Sequence, residues 1–168
     1  GLALGRRAAD FIASEQRDQS IIQSESSERT TLSHINAMRA EWKHLVDDVE
    51  SGALPTGAVY NGRNPIIGDT KWGNWTDRSA FKESRGLSKA AKAQRYERGL
   101  IAHANQLLEP EQQDMRKQIR VQLRGKRLAC HCVSQGLPCH AEVNAGIANC
   151  SEEQLELALA SRAKEIAN

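Results

Sequence analysis

Three cysteines and two histidines crowd into one short stretch, Cys130-His131-Cys132 followed by Cys139-His140. These residue types ligate soft metals, act as thiolate nucleophiles and carry protons near neutral pH. All four cysteines of the chain lie between Cys130 and Cys150, which is not the dispersed framework of a secreted disulfide scaffold. Reduced thiols or a metal site are expected. Residues 126–132 have strand length and character, and a strand would put Cys130 and Cys132 on one face with His131 on the other. A Val133–Pro138 loop then leads to a helix predicted to open near Cys139.

Three chemistries fit this pattern. If the chain folds back at the loop, Cys130, Cys132, Cys139 and His140 supply the sulfur and nitrogen donors that tetrahedral zinc prefers, although the spacing is not the usual Cys-x2-Cys knuckle. Alternatively, the positive end of a helix dipole lowers the pKa of a thiol, so Cys139 could act as a nucleophile with His140 or His131 as base or acid. The same helix start could hold a phosphate without chemistry, and ligands of open α/β sheets sit beyond the carboxyl ends of strands, where this loop falls. Third, cysteines are often small buried hydrophobes and a histidine can serve a local hydrogen bond. Cys150 reads as that kind of residue.

The elements that must position the cluster come from periodicity. Residues 1–29 are a polar arm in which Phe11-Ile12 and Ile21-Ile22 are too sparse to bury a face. From 30 to 52, Leu32, Ile35, Met38, Trp42, Leu45, Val46 and Val49 recur at steps of three and four, predicting a long amphipathic helix capped at Gly52. An α/β domain is expected over 53–150. It opens with a strand at Ala58-Val59-Tyr60, and a third strand is looked for between Asn64 and Ala80. Helices are predicted over 88–108 and from Pro110 to about Leu123, with Gly125 as the stop. A closing helix over 151–168 starts at a Ser151/Gln154 capping box and rests on Leu155, Leu157, Leu159 and Ile166. Strands separated by helices give a small, helix-rich α/β layered domain with a short sheet.

Apolar residues make up 39% and aromatics 4%, so the core must be mainly aliphatic. No run approaches the roughly 18 apolar residues of a membrane span, and Gly-Leu-Ala-Leu-Gly at the start is too short for a secretory signal. A soluble, intracellular protein without a membrane partner is expected. The net charge of +2 conceals an uneven distribution: residues 1–52 hold six basic and nine acidic groups, residues 53–104 nine and four. Basic residues recur through 78–98 and again through 116–127, where no acid intervenes. They read either as a solvated face or as the phosphate-binding part of a nucleotide or nucleic-acid site. Trp72 and Trp75 in a polar loop read as lids on the core or as platforms that stack a base or sugar.

Residues 58–150 also resemble a family of small uncharacterised domains common in phages and their bacterial hosts. The resemblance is carried, in order, by Tyr60-Asn61-Gly62-Arg63, Lys71-Trp72-Gly73-Asn74, Leu123-Arg124-Gly125-Lys126, Cys130-His131-Cys132, Cys139-His140 and Ile147-Ala148-Asn149. His131 stands where the family has an aromatic, Trp75 where a proline is common, and Asn144 at a usually apolar helix position; the loop before Cys139 is longer. The resemblance implies a phage protein, in the host cytoplasm or the virion, with a common site of Arg63, Lys71, Asn74, Cys130, Cys132, Cys139 and His140, and Trp72 in the same loop. It implies no activity. Two functions are therefore expected as rivals: a Cys/His pocket that binds or modifies a nucleotide or nucleic acid, or a structural protein of a phage assembly. In the second, residues 1–52 mediate self-association or partner binding, and the cluster is a zinc or packing staple.

Overall fold

The computed structural model describes residues 29–35, 41, 45, 48–64, 68–73 and 86–168. Expectations for residues 1–28 of the polar arm, for Met38, Trp42 and Val46, for Asn74 and Trp75, and for Arg78, Lys82 and Arg85 lie outside the described residues. Strands β1 (Thr31–His34), β2 (Val59–Tyr60) and β5 (Arg127–Cys130) form a parallel sheet in the order β1-β5-β2. A separate two-residue hairpin pairs β3 (Arg63–Asn64) with β4 (Gly68–Asp69). Among the described residues the α-helices are α1 (Lys89–Leu107), α2 (Gln113–Gln122), the single turn α3 (His131–Ser134), α4 (His140–Asn149) and α5 (Glu152–Ala167). No helix among the described residues is long and apolar enough to cross a membrane.

Strand β5 organises this architecture. Paired on both edges, it reads Leu128-Ala129-Cys130, all buried, as a strand covered on both faces must. Alternation sends its side chains to opposite cores. Leu128 and Cys130, with Val59, join the helical core built from α1, α2 and α4, whereas Ala129 and Tyr60 join a smaller core with Ile35, Leu45, Leu54 and Ala58. The result is a layered α/β domain, as the sequence predicts. Helix α4 is buried nearly all round, and its Ala141, Ala145, Gly146 and Ala148 are small enough to let α1, α2 and the sheet approach closely.

The segment expected to be one long helix is different where it is described. Thr31–His34 is a strand, and Asp48–Gly52 is a bend and turn. Helical spacing of Leu32 and Ile35 loses to sheet pairing because the backbone of Thr30 and Thr31 is claimed by distant partners. Thr31 N–H donates to the Lys126 carbonyl (3.0 Å), and Thr30 Oγ1 donates to the Leu123 carbonyl (2.6 Å) while accepting from Gly125 N–H (3.2 Å). The Asn149 side chain, at the end of α4, accepts from Thr30 N–H (2.8 Å) and donates to its carbonyl (2.9 Å). Gly52 does mark a chain reversal, at φ +69°, but it ends a turn and not a helix. The third strand of the main sheet is thus β1, ahead of the expected position between Asn64 and Ala80; among the described residues that region contributes the β4 arm of the hairpin.

Other elements follow the sequence closely. Ser88 Oγ caps α1 by accepting from Ala91 N–H, and Ser151 and Gln154 form the reciprocal capping box of α5. On α5, however, Leu157 and Ile166 are exposed, and Ala158, Leu155 and Leu159 make the contact with the core. Arg162 fastens that helix by bonding Glu109 (2.8 Å) and Glu165 (2.9 Å). Because Asn149 bonds both backbone groups of Thr30, Asn149→Leu is expected to lower the unfolding free energy by about 2 kcal/mol in urea denaturation. An unchanged midpoint would mean that the ladder with β5 holds β1 by itself.

Candidate metal centre

Strand β5 ends at Cys130, at the carboxyl edge of the sheet, and the chain turns directly into α3. Cys132 is therefore in a helical turn and not in the strand, so the expected same-face strand geometry is not what unites the thiols. Convergence comes from the return of the loop: Leu137 N–H reaches the Cys132 carbonyl (3.0 Å), and Cys139 becomes the N-cap of α4. Cys139 Sγ accepts from Ala141 N–H (3.4 Å), and Glu142 closes a capping box on Cys139 N–H (2.9 Å). The three sulfurs and the His140 ring nitrogen then lie within 4.8 Å of one another. A zinc tetrahedron with bonds of about 2.0–2.3 Å has donor separations of roughly 3.5–3.8 Å, so the donors need contract by only about 1 Å to enclose an ion.

The protonation of His140 is dictated by its partner. Its Nε2 donates to the main-chain carbonyl of Asn61, which can only accept, so Nε2 carries the proton and the Nδ1 lone pair is available. Nδ1 lies 3.9 Å from Cys139 Sγ, on the side of the cluster. An imidazole that gives its far N–H to a backbone carbonyl is the usual preparation of a metal-ligating histidine.

The thiols are electrostatically interdependent. Hydrogen bonds from Cys132 and Cys139 hold the Cys130 thiol well below its ordinary value against the opposing effect of burial. Cys132 is pushed up, first by sharing that hydrogen bond with Cys130, and Cys139 is pushed up, first by burial. One negative charge is thus favoured at Cys130 while the other two thiols resist ionising. A divalent cation reverses that balance, because coordination deprotonates thiols outright. Tyr60, under the cluster, is raised first by burial and then by the negative charge of the cysteines.

A second, buried layer surrounds His140. Asn144 Nδ2 donates to Asn61 Oδ1 (2.7 Å) and to the Trp72 carbonyl (3.1 Å), and Asn144 Oδ1 meets His103 Nε2 at 2.8 Å. Burial, then the neighbouring His140, pushes the His103 pKa down to about 3. Neither Asn61 nor His103 is singled out by the sequence analysis. The available signals are polar residues at apolar positions: His103 sits among Leu100, Ala104 and Leu107, and Asn144 among Val143, Ala145 and Ile147.

The remaining expected site residues divide. His131 begins α3 half-buried, its ring edge-on to Tyr60 at 5.9 Å. Arg63 is half-buried and passes so close to Gly73 that a Cβ there would fall 2.8 Å from Arg63 Cγ. Lys71 Nζ is held by Gln122 (2.8 Å) and Gln118 (3.3 Å), above the Trp72 ring. Trp72 is 2% exposed, within the helical core, and donates its indole N–H to the Ser51 carbonyl (2.7 Å). That is the placement of a core anchor and leaves no open ring face for a base. Asn74 lies outside the described residues. Cys150 is buried apart from the cluster, bonded to Arg120 and the Ile147 carbonyl.

The expected basic face also divides. Arg116 is buried and donates to the Leu107 and Glu109 carbonyls, both at 2.7 Å, while Arg120 donates to the Ile147 (3.0 Å) and Cys150 (2.8 Å) carbonyls. These two cap helix ends. Lys117, Arg124, Lys126 and Arg127 are exposed.

Comparison with known proteins finds one family. Residues 47–150 match the model of a family described as a domain of unknown function, DUF4326. No curated protein and no solved structure matches the chain. The match ends at Cys150 and so includes every residue of the cluster. If Trp72 is a core anchor, Trp72→Ala should cost about 3–5 kcal/mol of stability, against under about 1 kcal/mol for Lys71→Met. Equal and small losses in thermal unfolding would contradict that assignment.

Proposed function

The chain belongs to the DUF4326 family, a domain of unknown function, and from that premise we propose that it is a zinc-stapled binding module whose partner is a nucleic acid. The metal reading is carried by one observation, the approach of Cys130, Cys132, Cys139 and His140 donor atoms to within 4.8 Å of one another. Four protein donors complete a tetrahedron, as structural zinc sites do, whereas catalytic sites keep a position for water or substrate. Zinc held there would supply the positive charge that lets the three thiols ionise together. It would join the end of β5 to the start of α4. A thiolate nucleophile at Cys139 is the weaker reading, because that residue is 1% exposed and its sulfur faces the other donors.

The partner is argued from charge. Lys117, Arg124, Lys126 and Arg127 are exposed around the end of α2 and the start of β5, and no acidic residue occurs between Asp114 and Glu142. This cationic surface is at the amino end of β5 and the metal donors at its carboxyl end, so phosphate binding needs no access to the thiols. Clustered Lys and Arg give the salt-dependent, sequence-independent part of nucleic-acid affinity.

Elemental analysis of protein purified under reducing conditions should find one zinc per chain. Chelation should lower the thermal midpoint, and Cys139→Ser should abolish that sensitivity together with the bound zinc. Metal-free protein with an unchanged midpoint would refute the staple. For the partner, the Lys126→Gln/Arg127→Gln double variant should keep its fold and reduce the slope of log affinity against log salt by about 2 on duplex DNA. An unaltered slope would remove this surface from the proposal.

A further inference from the structure

We infer that Asn61, Asn144 and His103 form a buried positioning relay that fixes which ring nitrogen His140 turns toward the metal. The inference rests on the metal reading above. The relay begins at Asn61, immediately after β2, whose main chain acts in two directions: its N–H donates to the Ala129 carbonyl (2.8 Å), and its carbonyl accepts from His140 Nε2. Its side chain is equally committed, with Nδ2 donating to the Val59 carbonyl (3.2 Å) and Oδ1 accepting from Asn144 (2.7 Å). The acceptor of the His140 proton is therefore held by both its backbone and its amide.

Asn144 stands one helical turn beyond His140 on α4, so the two side chains share a face. Both hydrogens of its amide nitrogen are spent on oxygens, at Asn61 Oδ1 and at the Trp72 carbonyl (3.1 Å). The amide cannot be flipped without facing oxygen toward oxygen. Asn144 Oδ1 must then accept, which requires His103 Nε2 to carry the hydrogen across their 2.8 Å contact. Finally, the His103 ring packs edge-to-face on the His140 ring at 5.4 Å, so the last member of the relay touches the first ligand. All three relay residues are buried, and His103 Nδ1 has no hydrogen-bond partner, so moving the His103 proton from Nε2 to Nδ1 would bury an unmade N–H and leave Asn144 Oδ1 unpaired.

The consequence is a fixed tautomer. With Nε2–H secured, His140 offers Nδ1 on the side of Cys139; with Asn61 released, the ring can turn or exchange its proton, and the fourth donor is lost from the cluster. Loss of an outer partner of a metal-binding histidine typically weakens metal affinity about 10–100-fold.

The test uses the full chain, Co2+ titration and nitrogen-resolved NMR of the histidine rings. In the wild type, a thiolate-to-cobalt charge-transfer band should appear, with His140 protonated at Nε2. Asn144→Leu should weaken Co2+ binding about 10–100-fold, shift the ligand-field bands and remove the single Nε2–H tautomer. His103→Phe, which keeps the ring packing but loses the N–H, should move all three in the same direction by less. If Asn144→Leu does not fold, His103→Phe decides alone. Wild-type affinity within twofold, with unchanged bands and tautomer, in the folded variants would overturn the relay. If the wild type binds no Co2+, the metal reading fails separately. The relay is then still judged on the metal-free ring: a single Nε2–H tautomer lost in the variants supports it, and mixed tautomers throughout overturn it.

Discussion

Strand β5 is hydrogen-bonded on both edges by parallel neighbours, and the position of its last residue, Cys130, determines where everything else in the site can be. A central parallel strand buried on both faces can shift neither sideways nor along its length without turning its side chains to the wrong core. Cys130 is consequently a fixed point, and so is Asn61, whose N–H bonds the carbonyl of the residue before Cys130. The turn through α3 and the return at Cys139 bring the other donors to that fixed point. The pocket of sulfur and nitrogen is thus anchored by backbone ladders, and the loop between Cys132 and Cys139 carries the remaining donors back to them.

The second organising constraint is the burial of polar groups, which recurs at the ends of α1 and α4. Arg116 and Arg120 look like part of a cationic face, yet each spends its guanidinium on main-chain carbonyls, at the end of α1 and the end of α4. Buried charges persist only when they are satisfied in this way. Asn144 obeys the same rule inside the helical core, where it pairs with His103 Nε2 and the Asn61 side chain, although His103 Nδ1 has no partner. Asn149 obeys it at the far end of α4, where it ties that helix to the entry of β1. One helix therefore connects the candidate metal centre at its start with the edge strand at its end.

Much of this was legible in the residues, because much of it is local. Helix α1 was readable from its apolar spacing and Ser88, α5 from the Ser151/Gln154 box, the β5 strand from its apolar run, and the helix start at Cys139 from the residues around it. So was the proximity of the four donors, since a strand, a short loop and a helix start leave the chain few other paths. Local spacing misleads where a long-range partner outbids it. Leu32 and Ile35 have helical spacing, but Thr30 and Thr31 are claimed by Leu123, Lys126 and Asn149, more than ninety positions away. Leu157 and Ile166 have the apolar character of core residues but fall on the outer face of α5.

The sequence by itself determined the donor types, their order and the helix-cap chemistry at Cys139, because each depends on residues within a turn or two of one another. Only the tertiary structure decided that Trp72 is an anchor and not a platform, that Arg116 and Arg120 are caps and not ligands, and that His140 is protonated on Nε2. Each of those depends on which carbonyl lies opposite a donor after folding. The partners belong to Ser51, Leu107, Cys150 and Asn61, and no pattern in the neighbouring residues announces them.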